Sequence, residues 1–498
     1  MNLSDLTPII SLTIKEAKCE QAAATDALSR AAEPQRSASK TRDLMSKHNI
    51  LIVHCHDLGQ YLHCYGKPTV QSPHLDAFAA QGVRFENSHC TAPQCSPARA
   101  SLFTGRYPHN NGVMGLTQHP FDWQLNEDEL HLGQILGRAG YLTASVGVTH
   151  EAHGNQERCG YQESFPQNMA QEATDTACEI LPELAACEKP FFLSVGFLEP
   201  HKLPYLNVEG WLPRDHSYPG EHLEPDDTLG VDIPPYIHDS EGSRQEIAGL
   251  QGAVKHIDEQ FGRIMKKVDA LGLKENTVVI FTTDHGVALP LAKASLYNAG
   301  TNVALMVQAP DPAWQQGAVR KELISHIDVL PSILDLLGVP VPDVVQGRSF
   351  VPLIEGGSYE TNDALFTELT YHQYYDPMRA IRTERYKLIA SFTSAPAFME
   401  PGQRRRPLTD PWYAPTKGGI GLHEDVELFD LSEDPWEKNN LAGDEAYASI
   451  RQDLMARLYR QMVTTDDPLL KGAVACPKHT RVLEQLSSAG ALPQGPEA

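Results

Sequence analysis

The chain has 498 residues, and its formal net charge of −23 at pH 7 argues against a nucleic-acid partner and against a long polyanion, unless a pocket is locally positive. Its contents of 41% hydrophobic and 21% charged residues are typical of a globular protein, with one large domain and a subdomain or with two domains. Because no run of roughly 18 apolar residues occurs, the sequence predicts no membrane partner.

Residues 1–48 differ in composition from the rest of the chain. Ser, Ala, Lys, Arg and Glu dominate, and the one apolar patch, at residues 8–14, lacks the flanks of a signal peptide. The nine cysteines have no paired spacing, which favours a reducing compartment. We therefore expect a cytoplasmic protein with a loose N-terminal extension, in which Met45 is an alternative start and a chain beginning there folds.

From residue 49 onward, short apolar runs alternate with helical patterns. Strands are predicted at 49–53, 83–88, 142–147, 190–197, 276–283 and 303–308, and helices at 73–81, 129–139, 170–186, 243–271 and 321–337. This alternation predicts an α/β sheet with helices on both faces. Residues 203–240, rich in Pro, Asp, His and Gly, predict a long loop in a pocket wall.

After residue 356 the pattern changes. Strands are predicted at 364–368, 378–382, 386–391 and 426–431, followed by a helix at 446–462. These strands lack intervening helices, which is typical of an antiparallel α+β unit. The predicted organisation is an extension at 1–48, a catalytic α/β domain at 49–360, and an α+β subdomain with a tail at 361–498.

The segment APQCSPARASLFTGRYPHNNG carries the strongest chemical signal. Ser96 is predicted as the N-cap and Pro97 as the first residue of a helix that begins beside Cys95 and ends at Gly105. The amides and the dipole at such a helix end favour an anion or a thiolate. Arg99 lies four residues after Cys95, so its guanidinium can lie under the same helix end.

Three hypotheses fit this segment. In the first, Cys95 is a buried structural cysteine. In the second, it is a thiolate nucleophile, although its spacing to Arg99 is too short for the loop of thiol phosphatases. In the third, Cys-x-Pro-x-Arg followed by Leu-x-Thr-Gly-Arg resembles the signature of the type I sulfatase family, in which the cysteine is oxidised to formylglycine. Ala98 departs from the serine of many members, but the Cys-x-Pro-x-Arg core is kept.

The resemblance implies a covalent reaction at Cys95. A hydrated formylglycine has two hydroxyls on one carbon: one attacks sulfur, and the other, once deprotonated, re-forms the carbonyl and expels sulfate. A serine would remain as its sulfate ester. Arg99 and a metal ion would hold the hydrate and polarise the sulfate oxygens.

Two predicted strands end in histidine–aspartate pairs, His56-Asp57 and Asp284-His285. The carboxyl ends of parallel strands meet at one edge of a sheet, and the resemblance implies that these four residues and Cys95 hold one divalent cation. Sulfatases have Asp-Asp and Asp-Asn at the two places, while Asp-His also occurs in phosphonate and choline-sulfate hydrolases. We expect this cation to be calcium, and the histidine ligands make manganese or zinc the alternatives. His56 either binds the cation directly or lies beside one of its ligands.

Three further catalytic residues follow from the resemblance. His150, in VGVTH, corresponds to the base that takes the second proton of the hydrate, and His201, in LEPHK, to the histidine that binds sulfate and protonates the leaving group. Lys293 corresponds to a sulfate-binding cation. Val148 replaces a lysine of the family motif, and His153 is a candidate for its role.

The resemblance extends over residues 49–480 and is strongest to the heparan N-sulfatase branch, in the signature segment, in FTELTYHQYYDPMRAIRTERYKL and in DDPLLKGAVACPKHTRVLEQL. It implies an alkaline-phosphatase-like α/β/α sandwich that hydrolyses a sulfate ester or N-sulfate. The partners would be a small sulfated sugar or aryl sulfate and a formylglycine-generating maturation enzyme. The alternatives are a phosphodiesterase or phosphonate monoester hydrolase, and a non-catalytic anion-binding relative.

Overall fold

A mostly parallel sheet forms the centre of the molecule in the computed structural model, which describes residues 48–204, 216–217, 223–395 and 422–488. The first ten strands are β1 (Asn49–Cys55), β2 (Val83–His89), β3 (Leu142–Gly147), β4 (Glu163–Phe165), β5 (Phe191–Gly196), β6 (Leu203–Pro204), β7 (His216–Ser217), β8 (Thr277–Thr283), β9 (Leu305–Gln308) and β10 (Ala318–Ser325). Strands β6 and β7 pair separately, and the other eight lie in the order β10-β2-β9-β8-β1-β5-β3-β4. Only β9 of these eight runs antiparallel to its neighbours.

Helices cover both faces of this sheet. The helices of the described residues, including those of the C-terminal subdomain, are α1 (Pro73–Gln81), α2 (Cys95–Thr104), α3 (Pro108–Asn111), α4 (Leu132–Arg138), α5 (Ala170–Ala185), α6 (Glu241–Ala270), α7 (Asn298–Thr301), α8 (Val329–Leu336), α9 (Val351–Glu355), α10 (Ala448–Thr464) and α11 (Pro477–Ser488). Successive residues of β1 alternate between the two cores: Leu51 packs with α1, α5 and α6, and Ile50 with α4, α8 and α9. This layering follows from the apolar runs of the strands and confirms the predicted α/β/α class.

Short 3₁₀ turns connect many of these elements. They are His63–Tyr65, His150–Ala152, Gln156–Cys159, Leu273–Asn276, Pro312–Trp314, His326–Asp328, Glu445–Tyr447 and Pro468–Lys471. Within the described ranges, no helix has both the length and the apolar character that crossing a membrane requires.

A second sheet forms the C-terminal subdomain. Its antiparallel strands are β11 (Leu365–Tyr371), β12 (Tyr375–Arg382), β13 (Tyr386–Ser391) and β14 (Val426–Asp430), in that order. One face packs on α10, and the other packs on Ala294 and Leu296 of the catalytic domain. The predicted α+β subdomain is confirmed, and the predicted boundary at residue 360 stays a prediction.

The predicted helix at 321–337 is wrong in its first half. β10 occupies Ala318–Ser325 and pairs with β2 at the edge of the sheet. Partly buried and exposed residues alternate over its first five positions, and its last three residues are buried. This alternation is the period of a strand, and the helix begins only at Val329. The predicted helix at 129–139 likewise begins later, at Leu132, because His131 is its N-cap: the His131 side chain accepts from the N–H of Gly133, and Gln134 accepts from the N–H of His131.

Other predictions lie outside the described residues. These include the extension at 1–47 and residues 205–215 and 218–222 of the long loop at 203–240. In the described part of that loop, β6 and β7 form a short pair, and residues 223–240 contain no helix or strand. The three-residue strand β4 is an element that the sequence pattern did not reveal, because it is too short for its alternation to be recognised.

We expect Gly147→Ala to lower the free energy of unfolding by roughly 2–4 kcal/mol. Gly147 has φ of +85°, and a Cβ there would collide with the carbonyl oxygen of Gly196 on the paired strand β5. Gly272 also has a positive φ, of +66°, but open space around it, so Gly272→Ala should cost about 1 kcal/mol from backbone strain alone. Urea unfolding of both variants measures the difference; equal losses would contradict the close approach of β3 and β5.

Candidate active site

The carboxyl ends of two adjacent strands bring two aspartates together. β1 and β8 are parallel neighbours that end side by side, with Cys55 paired to Thr283. Just beyond them, the backbone N–H of Asp57 donates to Oδ1 of Asp284 at 3.0 Å. Asp57 has a φ of +46°, a left-handed conformation that aspartate tolerates better than most residues. The predicted meeting of the two pairs at one edge of the sheet is therefore observed.

Cys95 is the first residue of α2, which lies buried along its whole length. The predicted N-cap is wrong: Gln94 is the N-cap residue, so Ser96 and Pro97 lie inside the first turn. Gly105 ends the helix in the left-handed conformation, as predicted, with a φ of +68°. The Cys95 Sγ lies 3.5 Å from Nε2 of His285, so the helix end faces the aspartate pair.

The environment of Cys95 disfavours a thiolate. Burial raises the pKa of its thiol to about 12 and outweighs the positive charges of Lys293 and Arg99 nearby. The favourable effect of the helix end on an anion does not overcome this desolvation. A thiolate nucleophile, one of the three hypotheses for this segment, is therefore disfavoured.

Two fixed cations neutralise the aspartates. The Lys293 ammonium donates to Oδ1 and Oδ2 of Asp57 at 2.9 and 2.8 Å, and Arg99 Nη2 lies 3.3 Å from Oδ2 of Asp284. Burial alone would raise the pKa of Asp57, but Lys293, together with His201 and His285, outweighs burial and holds that pKa well below its usual value. Conversely, Asp57 raises the pKa of Lys293 against the effect of burial, so both groups are charged.

The histidines around the pair are neutral. Burial, followed by neighbouring positive charges, lowers the pKa of His150 to about 3 and that of His201 to about 4. Burial also lowers the pKa of His56 and of His285. The ring of His56 lies at the centre, with centroids 5.2 Å from His150 and 5.3 Å from His201.

The donor atoms of the site fit a divalent cation. His56 Nδ1 lies 3.0 Å from Oδ2 of Asp284, yet neither atom makes a hydrogen bond of acceptable geometry. His285 Nδ1 donates to the Gly286 carbonyl at 2.9 Å, so the lone pair of Nε2 faces Asp57 Oδ1 at 3.2 Å. Two electron-rich atoms this close are repulsive unless a cation lies between them.

The arrangement gathers one ligand atom from each of four residues within 4.8 Å of one another: His56, Asp57, Cys95 and Asp284. Ligand atoms of His56, Cys95 and His150 also lie within 4.8 Å of one another. Apart from the Cys95 sulfur, these ligand atoms are nitrogen and oxygen, a mixture that suits several divalent metals. The structure thus contains candidate metal-binding groups at the predicted place.

The place of the missing family lysine is filled by an apolar side chain. Val148 is buried at the end of β3, whereas His153, the candidate replacement, is exposed and lies 6.3 Å from His150 between ring centroids. Lys202, the next cation beside His201, forms an ion pair with Glu246. Among the described residues, Arg99 and Lys293 are therefore the fixed cations in contact with the aspartates.

Sequence reasoning missed two buried histidines beside this site. His54 Nδ1 accepts from Arg99 and its Nε2 lies 3.0 Å from the Ser194 hydroxyl, so it orients the guanidinium. His372, just after β11, has an Nδ1 without a hydrogen-bond partner, and its pKa is lowered by burial and then by the charge of Lys293. The segment FTELTYHQ was part of the resemblance, but no local pattern places its histidine near Lys293.

Comparisons with known proteins agree with this geometry. A family model described as Sulfatase matches residues 48–339, and one described as N-sulphoglucosamine sulphohydrolase, C-terminal, matches residues 290–400. The chain is 25% identical over 476 residues to the Homo sapiens N-sulphoglucosamine sulphohydrolase, which covers 84% of this chain and 91% of the relative.

Solved structures share the fold. That of a 2-O GAG sulfatase has a TM-score of 0.65 at 23% identity and covers 86% of this chain and 95% of the other. That of a phosphonate monoester hydrolase from Silicibacter pomeroyi has a TM-score of 0.58 at 21% identity and covers 84% of this chain and 94% of the other.

Because the sulfatase model matches more than half of the chain, the chain belongs to the sulfatase family. It is a sulfuric ester hydrolase with the alkaline-phosphatase-like fold, as the signature around Cys95 predicted.

We expect Lys293→Met to destabilise the metal-free protein by about 3–5 kcal/mol, because it leaves the buried Asp57 carboxylate without its cation. Calcium should restore part of this loss, since a bound cation would neutralise the same carboxylate. Urea unfolding with EDTA and with calcium measures both effects.

Lys387→Met is the matched control. Lys387 is also a buried lysine, paired with Glu437 Oε1 at 2.7 Å in the C-terminal subdomain. It should lose comparable stability that calcium does not restore. Equal calcium effects on the two variants would contradict a cation at Asp57.

Proposed function

We propose that the chain hydrolyses the sulfate of a sulfated amino sugar, with an N-sulfated glucosamine as the first candidate. The observation that carries this proposal is the buried end of α2, where Cys95 and Arg99 face Asp57 and Asp284. The match of residues 290–400 to the C-terminal model of N-sulphoglucosamine sulphohydrolase supports the amino-sugar class. The cytoplasmic location expected from the sequence remains a prediction.

Formylglycine at position 95 is the proposed nucleophile. Its hydrate would place one hydroxyl for attack on sulfur, while the chain's own thiol, with a pKa raised to about 12 by burial, is a poor nucleophile at neutral pH. Arg99, held by His54 and Asp284, provides a fixed positive charge beside the nucleophile. Such preorganised charge stabilises an oxyanion most in a buried site.

One divalent cation is proposed at His56, Asp57, Asp284 and His285, beside residue 95. When bound, it would act as a Lewis acid on sulfate oxygens and on the nucleophile. Calcium is our first assignment from the two carboxylates, and the two histidines make manganese and zinc the alternatives.

Two histidines are proposed to move the protons. His201 is partly exposed, with Nε2 3.9 Å from Asp57 Oδ2, and its Nδ1 is held by the Lys202 carbonyl. The free Nε2 would take the proton of the attacking hydroxyl and pass it to the leaving alcohol or amine while Lys293 holds the sulfate. His150, with an Nδ1 that lacks a partner, would take the proton of the second hydroxyl. The carbonyl then re-forms and sulfate leaves.

A phosphonate monoester hydrolase is the second candidate, favoured by the Asp284-His285 pair and by the shared fold. A turnover screen separates the two. Protein co-expressed with a formylglycine-generating enzyme is offered N-sulfoglucosamine, O-sulfated sugars, an aryl sulfate and a phosphonate monoester. We expect turnover of the N-sulfated sugar at the highest kcat/KM; a preference for the phosphonate would overturn the proposal.

We expect Asp57→Ala and Asp284→Ala each to remove the bound metal and the activity, because each deletes a carboxylate ligand. His285→Asn should shift metal preference toward calcium, since it replaces nitrogen by oxygen. Metal analysis of purified proteins measures this. Asp258→Ala is the control: its buried carboxylate accepts from the N–H groups of His74 and Leu75, so the metal should stay. Unchanged metal identity and affinity in His285→Asn would exclude His285 as a ligand.

We expect Cys95→Ser to give at most one slow turnover and a stable sulfate ester on residue 95, because a serine has no second hydroxyl to expel sulfate. Cys95→Ala should give none and still bind metal through Asp57 and Asp284. In the wild type, the peptide containing residue 95 should lose a sulfur and two hydrogens and gain an oxygen. A fully active preparation with only thiol at Cys95 would contradict the proposal.

A further inference from the structure

A chain of hydroxyls joins the nucleophile helix to the loop that carries His150. Ser96, the residue after Cys95, accepts from the backbone N–H of Thr117 at 3.1 Å, and the two hydroxyl oxygens lie 3.2 Å apart. The Thr117 hydroxyl donates to the His150 carbonyl and accepts from the His153 N–H at 3.4 Å. Ser96 and Thr117 are both fully buried.

The protons of this chain can be assigned by elimination. The single hydroxyl proton of Thr117 goes to the His150 carbonyl, so Ser96 must donate its own proton to Oγ1 of Thr117. An ordinary 3₁₀ turn would join the His150 carbonyl to the His153 N–H directly. Here the Thr117 hydroxyl bridges these two groups, and it therefore holds both ends of the turn His150–Ala152.

The neighbour of His150 is held from the other side. Gly133 N–H donates to Nδ1 of His131 at 3.1 Å, so the proton of His131 is on Nε2, which lies 3.4 Å from Glu151 Oε1. Because this tautomer occupies the Nε2 lone pair, the cluster of His131, Glu151 and Cys159 is a buried polar support rather than a metal site. On the opposite side, the Thr117 hydroxyl links the turn to the helix that begins at Cys95.

We propose that Thr117 is a positioning residue for His150, and that it sets the distance between that histidine and residue 95. This inference rests on the proposed function. In that reaction residue 95 is sulfated in the first step, and His150 is needed only in the second, when sulfate leaves. Loss of the Thr117 hydroxyl therefore slows the second step and leaves the first one intact.

The test is Thr117→Val, which keeps the shape of the side chain and removes the hydrogen bonds of the hydroxyl, while the backbone N–H can still donate to Ser96. With an aryl sulfate in stopped flow, we expect a burst of one leaving group per formylglycine, followed by turnover slower by tenfold to roughly a hundredfold, as for a misplaced catalytic group. Intact mass should show sulfate retained on residue 95. Rates are normalised to the formylglycine content of each preparation.

Thr117→Ser keeps the hydroxyl and should restore turnover without a burst. Thr117→Cys, which keeps a weaker donor, is the second variant if the valine protein does not fold, and it should show a smaller burst. Thr143→Val is the matched control: its buried hydroxyl donates to Gly160 O at 2.8 Å and accepts from Gln162 N–H at 3.1 Å, at the far end of β3.

The control should lose stability but show no burst. Wild-type rates in Thr117→Val, or slow rates without a burst and without retained sulfate, would overturn the inference while leaving the proposed function in place. A wild-type protein that carries formylglycine and metal but turns over no sulfate would overturn the proposed function, and the inference with it.

Discussion

The site depends on keeping two aspartates ionised in the interior. Asp57 and Asp284 touch through a backbone N–H, and both lie almost fully out of contact with solvent. An isolated buried carboxylate would protonate rather than stay charged. Each is instead held against a fixed cation, Asp57 by Lys293 and Asp284 by Arg99, and the pairing places both cations beside residue 95.

The loops that follow β1 and β8 interlock around this pair. Gly59 N–H donates to the His285 carbonyl at 2.8 Å, and Gly286 N–H donates to the Gly300 carbonyl at 2.8 Å. A Cβ on Gly286 would collide with the backbone of Ala299, so the tight approach requires glycine there. The aspartates are thus held by backbone contacts from both sides, which is what a preorganised site requires.

Much of this site was predictable because its signals are local. Strand ends deliver His56, Asp57 and Asp284, and the turn of a helix sets the spacing of Cys95 and Arg99, so sequence order alone brings these residues to one edge of the sheet. The residues that sequence reasoning missed act across the fold. The roles of His54, His372 and Thr117 depend on contacts between segments that are distant in the sequence. The hydrophobic pattern along the chain does not predict such contacts.

The errors in secondary structure have the same origin. The sequence predicts a helix over the second half of β10 because residues 321–325 lead through the short turn His326–Asp328 into the apolar pattern of α8. Only pairing with β2 at the sheet edge selects the strand. The N-cap of α2 is Gln94 and not the predicted Ser96, because the Ser96 hydroxyl accepts a hydrogen bond from the N–H of Thr117 instead of capping the helix. In both places a tertiary contact outweighed a local preference.

The charges of the site argue for the divalent cation independently of any donor geometry. Within the described residues, Arg99 and Lys293 supply two positive charges and Asp57 and Asp284 two negative ones, while burial keeps His56, His150, His201 and His285 neutral. The charges of such a centre sum to zero and do not attract an anionic sulfate. The family motif has a lysine where this chain has Val148, so that further positive charge is missing. A divalent ion makes the balance positive by two charges, enough to bind the sulfate in a buried site where charges are weakly screened.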